Sequence, residues 1–253
     1  MSFFHALILG LVQGITEFFP VSSSAHLTLT KLAFGLSDIP LIFDLSCHLG
    51  SLLALVWFFR KDIEQIFCRD RIKIAYLSIA LLPLFPCMFL LAPLRKFAAN
   101  PQYLGLFLMG TGAILLLGQK IRIKGKSRIF RDVLLIGAFQ SAALFPGISR
   151  SASTISCAQV LGWKTKEAVR FSFLLAIPTI AGANFLEAHH LWKSGALPSL
   201  LSPSCLTGFF VSFFASIFVI QFAIRWLEKG KFRPFAWYCL VLGFCANLYL
   251  WIQ

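Results

Sequence analysis

Apolar residues in this chain come in long blocks separated by short polar or basic runs. Six blocks meet or approach the ~20 residues a helix needs to cross a bilayer: Leu41–Phe59, Ile72–Leu94, Tyr103–Gly118, Ala168–Leu186, Cys205–Ile224 and Pro234–Ile252. Prolines fall inside several of them (Pro83, Pro86, Pro178), which a packed bundle accommodates. Four further blocks, Phe3–Phe19, Ala25–Gly35, Val133–Phe145 and Ser151–Leu161, are too short or too interrupted to span. They form two pairs, each joined by a segment rich in proline and serine.

The basic runs set the expected orientation. Arg60–Lys73 carries five Lys/Arg, Lys120–Arg131 six and Arg225–Arg233 four, and all three are expected on the cytoplasmic side. If Ala168–Leu186 leaves the cytoplasm and Cys205–Ile224 returns, Val133–Leu161 must begin and end inside. Lys164, Lys166 and Arg170 at its far end agree. Two half-helices with both ends on one side make a re-entrant hairpin. The same parity puts Gly35–Pro40 outside, so a hairpin over Phe3–Gly35 would enter from the opposite face. Phe3–Phe19 does not read as a signal peptide, because no positive charge precedes it and Glu17 interrupts it.

Shifting the chain by 127 residues superposes Gly10 on Gly137, Gln13 on Gln140, Phe18 on Phe145, Ser22 on Ser149, Ser24 on Ser151 and Ala25 on Ala152. Two copies in opposite orientations form an inverted repeat, with a site expected where the broken segments meet. The expected fold is therefore an all-α polytopic membrane protein: six transmembrane helices plus two re-entrant helix-loop-helix hairpins, in one domain over 1–253. The repeats would cover roughly 1–118 and 128–253, with hairpins at about 3–35 and 133–161.

Composition narrows this further. Of 253 residues, 58% are hydrophobic and 13% charged, with a mean hydropathy of +0.80. Soluble domains carry roughly 25% charged residues, so this chain has too little polar surface to face water all round. The net charge of +13 suggests nucleic acid at first sight, but the basic residues sit in runs between apolar blocks rather than on one polar face. No nucleic-acid partner is expected. Seven cysteines without a CxxC, six of them in apolar stretches, read as small core residues.

The chemistry collects at the two breaks. The first reads Gln13-Gly-Ile-Thr-Glu17-Phe-Phe-Pro20-Val-Ser22-Ser23-Ser24-Ala-His26. A carboxylate in a membrane-embedded stretch is costly and usually marks function. Gln13 and Glu17, four apart, share a helix face, and three hydroxyls and an imidazole follow. The second reads Phe145-Pro146-Gly147-Ile-Ser149-Arg150-Ser151-Ala-Ser153-Thr154, with Arg150 the only basic residue between Val133 and Leu161. Its fork of donors matches phosphate or carboxylate. A half-helix N-terminus beside it adds backbone donors. Together the tips offer a phosphate clamp (Ser149, Arg150, Ser151, Thr154), a nucleophile (one of Ser22, Ser23, Ser24, or His26), an acid/base (His26) and a carboxylate (Glu17). These are the parts of phosphoryl transfer.

Plainer roles compete for each residue. Ser153 and Ser156 can bond back to the preceding turn or join helices. Arg150 can simply pair with Glu17, and His26 can be a satisfied core histidine. Asp44 and His48, four apart at the start of a span, can contact substrate or be only an internal pair.

At these residues the chain resembles the bacterial undecaprenyl-diphosphate phosphatase family of the bacitracin-resistance type. The family pattern (E/Q)-x-x-x-E leading into P-V-S-S-(S/T)-(G/A)-H stands here as Gln13 to Glu17 and Pro20 to His26. Its P-G-x-S-R-S-(G/A)-(S/A)-T stands as Pro146 to Thr154. Phe171–Ala183 and the Phe43-Asp-x-x-x-His48-Leu-Gly stretch are similar too. Ala25 and Ala152 replace a common glycine. Gln13 replaces the first carboxylate, which leaves Glu17 as the sole acid at the tip.

The resemblance implies hydrolysis of a C55 isoprenoid diphosphate to its monophosphate, recycling a lipid carrier for cell-wall synthesis. It implies a multi-pass protein of the bacterial cytoplasmic membrane, with its site open to the periplasmic side, and a divalent cation, Mg²⁺ or Ca²⁺, touching Glu17. Glu17, Ser23, His26 and Arg150 match the family's essential positions. Gln13, Ser22, Ser24, Gly147, Ser149, Ser151, Thr154, Asp44 and His48 are candidates for binding the lipid diphosphate, and a homodimer is a further expectation. Attack by Ser23, by His26 or by water all remain open. The competing class is a secondary transporter or flippase of a phosphorylated lipid or organic anion, which inverted repeats also build. The other membrane phosphatase superfamily is excluded, since no histidine follows Arg150 at its spacing.

Overall fold

The computed structural model describes residues 1–36, 39–123 and 129–252. Three expectations fall partly outside them: residues 37–38 of the Gly35–Pro40 loop, residues 124–128 of the Lys120–Arg131 run with the start of the second repeat at 128, and residue 253 at the end of the chain. Every regular element among the described residues is helical.

Six stretches are long and apolar enough to cross a membrane: Leu41–Phe58, Ile72–Leu90, Pro101–Lys120, Thr165–Lys193, Pro203–Glu228 and Arg233–Ile252. They match the six apolar blocks of the sequence. Four shorter helices flank the two breaks. In the first, α1 (Phe3–Thr16) is followed by the break 17–22 and α2 (Ser23–Ala33). Next come α3 (Leu41–Phe58) and the short amphipathic α4 (Arg60–Cys68). The second span is interrupted between α5 (Ile72–Leu81) and α6 (Leu84–Leu90), where Pro83 has no N–H to bond back into α5, although Leu82 itself keeps helical backbone angles. Pro86 falls in the first turn of α6, where proline is tolerated. The chain continues through α7 (Ala92–Ala98) to α8 (Leu104–Lys120). Around the second break, α9 (Ile129–Gln140) runs into a single 3-10 turn and then into α10 (Arg150–Val160). The long helices α11 (Thr165–Lys193, with Pro178 inside), α12 (Pro203–Glu228) and α13 (Arg233–Ile252) complete the chain.

At 1.5 Å per residue, α1 with 14 residues and α2, α9 and α10 with 11 or 12 reach at most about 21 Å, short of a ~30 Å hydrocarbon core. α10 is buried on nearly all sides, whereas α1 and α9 bury one face in the bundle and turn the other outward. α12 packs between α1 and α3, α13 lies along α8, α10 touches α8, α9 and α11, α9 rests on α5, and α11 rests on α3. The main core gathers where these helices converge. Phe18, from the first break itself, is buried and stacks on Phe173 at 6.2 Å, and Phe59 also meets Phe173, at 6.3 Å. The outward faces carry large apolar side chains such as Phe218, Phe89 and Trp251, each more than 70% exposed. In water such a surface would drive association; against lipid tails it is the expected solvent face. The protein is a multi-pass membrane protein.

Candidate active site

Both breaks end at one cavity of about 600 Å³. Pro20 blocks the first incoming half-helix, the second tightens into the 3-10 turn Ser141–Leu144 ahead of Pro146, and a serine stands at the start of each outgoing one. In the first break, α1 ends as the N–H of Glu17 bonds the Gln13 carbonyl at 3.0 Å, and Pro20 prevents continuation. In the second, Ser149 caps α10 by accepting from the Ala152 N–H at 3.3 Å. The backbone N–H of Ser149 donates to Thr111 Oγ1 on α8, which in turn donates to the Gly147 carbonyl at 2.8 Å. Gly147 has φ +102, and a Cβ there would collide with Phe107 and the Leu104 carbonyl. This glycine is thus required by the turn.

Glu17 is the hub of the site. One carboxylate oxygen accepts from Arg150 Nη2 at 3.0 Å; the other accepts from Ser23 Oγ at 2.6 Å and Gln13 Nε2 at 3.0 Å. The Glu17 and Arg150 side chains are only 8% and 15% exposed, so each would be a costly isolated charge without the other. Gln13, fully buried, also turns Nε2 toward His48 Nδ1 at 2.8 Å and Ser51 Oγ at 3.3 Å. A carboxylate demands a donor from the Gln13 amide, so Nε2 is the group facing His48 and its Nδ1 accepts. The proton of His48 therefore sits on Nε2. His48 itself lines the cavity.

The cavity wall contains Glu17, Ser22, Ser23, Ser24, His48, Ser149, Arg150 and Ser151 from the expected set. Ser151 Oγ reaches the Phe19 carbonyl at 3.5 Å, a second link between the breaks. Other expected residues lie off the cavity. Thr154 is buried behind it, held by the Arg150 carbonyl at 3.0 Å and Ser172 Oγ at 2.6 Å. Asp44 pairs with Lys31 of α2 at 2.6 Å, away from His48. Gly147 shapes the turn rather than the wall, and Gln13 stands behind Glu17. His26 faces the other way: Nδ1 lies 2.8 Å from the Ser22 carbonyl and Nε2 2.7 Å from the Tyr238 hydroxyl. Ser153 bonds back to the Ser149 carbonyl at 3.0 Å, the plain helix role the sequence allowed.

Reading by sequence missed several wall residues. Gln140, Thr179 and Asn184 line the cavity; Thr179 Oγ1 lies 3.3 Å from Gln140 Oε1, and the amide nitrogens of Gln140 and Asn184 are buried without a partner. Gln140 had one usable signal, its superposition on Gln13 in the repeat. Tyr238 had none beyond a lone hydroxyl in an apolar span. The rest of the wall is apolar: Leu81, Leu84, Phe85 and Met88 from α5 and α6 face Ile180, Phe185 and Leu186 of α11. An anion clamp at one end of an apolar groove suits a lipid with a charged head.

A family model described as "Bacitracin resistance protein BacA" matches residues 6–245. The undecaprenyl-diphosphatase of Protochlamydia amoebophila is 41% identical over 254 residues, covering 98% of this chain and 99% of the relative. Proteins of the same name from Geobacter metallireducens and Pelobacter propionicus are each 36% identical, over 98% and 96% of this chain.

Proposed function

This chain belongs to the bacitracin resistance protein BacA family, and from that premise we propose that it hydrolyses undecaprenyl diphosphate to undecaprenyl phosphate and inorganic phosphate at the Glu17–Ser23–Arg150 cluster. One observation carries the assignment of roles: the same carboxylate holds Ser23 Oγ at 2.6 Å and Arg150 at 3.0 Å. A hydroxyl bonded to a carboxylate, beside a guanidinium able to grip phosphate, is a nucleophile–base–clamp arrangement.

In this mechanism the diphosphate head takes over the Arg150 guanidinium. Glu17, relieved of its cationic partner, is left to accept the Ser23 proton. Ser23 Oγ attacks the terminal phosphorus, and the bond from that phosphorus to the bridging oxygen breaks as Glu17 passes the proton it took to the departing lipid monophosphate, which leaves Glu17 ionised again. Water, deprotonated by Glu17, then displaces phosphate from Ser23, and the serine recovers its proton. His48 Nε2–H and the unpaired amides of Gln140 and Asn184 are further polar groups at the head. The groove between α5–α6 and α11 takes the first isoprene units. A carrier has no use for the Ser23–Glu17 bond, so the transporter reading is not favoured.

A divalent cation fits this site only as one shared with substrate. No three His, Cys, Asp or Glu side chains gather anywhere among the described residues. Mg²⁺ commonly binds through one or two carboxylates plus substrate phosphates, and Glu17 is the carboxylate on the cavity wall. There the ion would neutralise diphosphate charge.

The two broken pairs are re-entrant hairpins of an inverted repeat in this reading, with the site open to the periplasmic side of the inner membrane. Packing supports it. Gly10 and Gly137, superposed by the 127-residue shift, both mark close helix crossings. A Cβ on Gly10 would lie 3.0 Å from the Gly208 carbonyl of α12, and one on Gly137 would strike the Ala80 carbonyl of α5. Thus α1 meets α12 as α9 meets α5.

The test is phosphate release from C55 diphosphate by detergent-purified protein beside Ser23→Ala and Arg150→Ala. Release abolished by both supports the reading. Release by the Ser23→Ala protein at the normal rate would remove Ser23 from the mechanism.

A further inference from the structure

His26 matches an essential family position, yet it does not touch the cavity. Both of its ring nitrogens are already engaged. The Ser22 carbonyl can only accept, so Nδ1 carries the proton and donates to it at 2.8 Å. Nε2 then accepts from the Tyr238 hydroxyl at 2.7 Å, with the two rings near parallel at 13°. Tyr238 belongs to α13, 212 positions away. Taking a proton from Ser23 would require His26 to abandon both partners, whereas Glu17 already sits on Ser23 Oγ at 2.6 Å.

What His26 does hold is unusual. Ser22 has φ 66 and ψ 92, and it is the only non-glycine residue with positive φ among the described residues. An L-residue adopts that conformation only where its surroundings impose it. Ser22 is the N-cap of α2, but its side chain makes no capping bond and instead lies 3.2 Å from Ser24 Oγ. The Ser22 carbonyl is gripped twice by His26, through its backbone N–H at 3.3 Å and through the ring. The very next residue is Ser23. The direction of the Ser23 hydroxyl is therefore set by the turn that His26 clamps, and Tyr238 fixes the clamp to the far end of the chain.

We propose that His26 is a positioning residue rather than the base or the nucleophile, and that Tyr238, through His26, holds the strained Ser22 turn that aims Ser23 at Glu17. The proposal rests on the assignment of Ser23 as the nucleophile in the preceding section. It assigns a function to Tyr238, which lies outside both sequence motifs.

Two substitutions separate positioning from proton transfer. In His26→Asn the side-chain amide N–H falls near the place of Nδ1 and can still donate to the Ser22 carbonyl; in His26→Gln it falls near Nε2 and cannot. Neither can act as an imidazole. The full-length protein, purified in detergent, would be assayed for phosphate release from C55 diphosphate, with thermal unfolding recorded for each variant. Positioning predicts that His26→Asn stays within about tenfold of the unmodified protein while His26→Gln falls about 100-fold, the scale of a misplaced reacting group. Tyr238→Phe should lower kcat about three- to tenfold with KM and thermal stability unchanged, because the ring remains and only the anchor on Nε2 is lost. Equal, near-complete loss in His26→Asn and His26→Gln at unchanged thermal stability, with Ser23→Ala also inactive, would overturn the proposal and return His26 to the chemistry. So would a Tyr238→Phe protein with unaltered kcat. Activity in Ser23→Ala would instead remove the underlying nucleophile assignment, an outcome readable on its own.

Discussion

Arg150 Nη2 lies 3.0 Å from Glu17 Oε1, joining two residues 133 positions apart at the point where both broken segments end. The contact neutralises two charges that would each be expensive in a low-dielectric interior. In the mechanism proposed above, it is also the contact that the incoming diphosphate displaces.

Arg150→Ala should lower kcat/KM about 10²–10³-fold, as when a transition-state donor is lost. Arg150→Lys should recover part of this, since it restores the charge without the planar fork. Arg150→Ala should also lower thermal stability in detergent, because Glu17 loses its cation. Adding Glu17→Gln to it should raise the unfolding temperature again, the signature of a removed unpaired charge. An unfolding temperature that falls further in the double variant would show that the pair is not what couples the tips.

Glu17→Gln alone should lower kcat about 10²–10⁴-fold, the usual contribution of a general base. KM for the lipid should change less, because the apolar groove is untouched. Steady-state kinetics in mixed micelles would read both. A loss confined to KM would make Glu17 a binding group only.

Phosphate release should fall on treatment with EDTA and return with Mg²⁺ or Ca²⁺. With one carboxylate on the cavity wall and no metal-binding cluster among the described residues, metal should bind weakly without substrate and more tightly with a non-hydrolysable diphosphate present. Calorimetric titration of Mg²⁺ with and without such an analogue would check this.

The groove makes a separate prediction. Phe85 of α6 lies on the apolar wall facing α11. Phe85→Asp should raise KM for the C55 substrate by about tenfold or more, on the scale of losing a buried aromatic contact and adding a charge. A short C15 diphosphate, with little tail to bury along the groove, should respond less. Equal effects on both would place the tail elsewhere.

Much of this protein was legible in its sequence, for a physical reason that differs between levels. The bilayer imposes one length on every span, so the six helices could be read as blocks of apolar residues, each from its own composition. Pro20 and Pro146 cannot continue a helix, so the two breaks were legible as well. The second span was read as continuous, and only its second half shows why Pro83 matters: α5 and α6 meet there at the edge of the groove.

Side-chain direction was another matter. Spacing places Asp44 and His48 on one helix face, yet Lys31 draws Asp44 away at 2.6 Å while Gln13 takes His48 at 2.8 Å. Thr154 sits in the same motif as Arg150 but points to Ser172. His26 stands three residues from Ser23 and turns to Tyr238. In each case the motif supplied the right kind of residue, and the competitor for its hydrogen bond came from another helix.

The sequence by itself determined the number of spans, the position of the breaks and the stock of chemical groups at them, because helix length, proline and burial in lipid are constraints each segment meets locally. The tertiary structure decided which of those groups face one another. A buried donor or charge must find its partner among whatever distant helices bring to it, and that choice is made only when α2, α3, α8, α10 and α13 close around the two breaks.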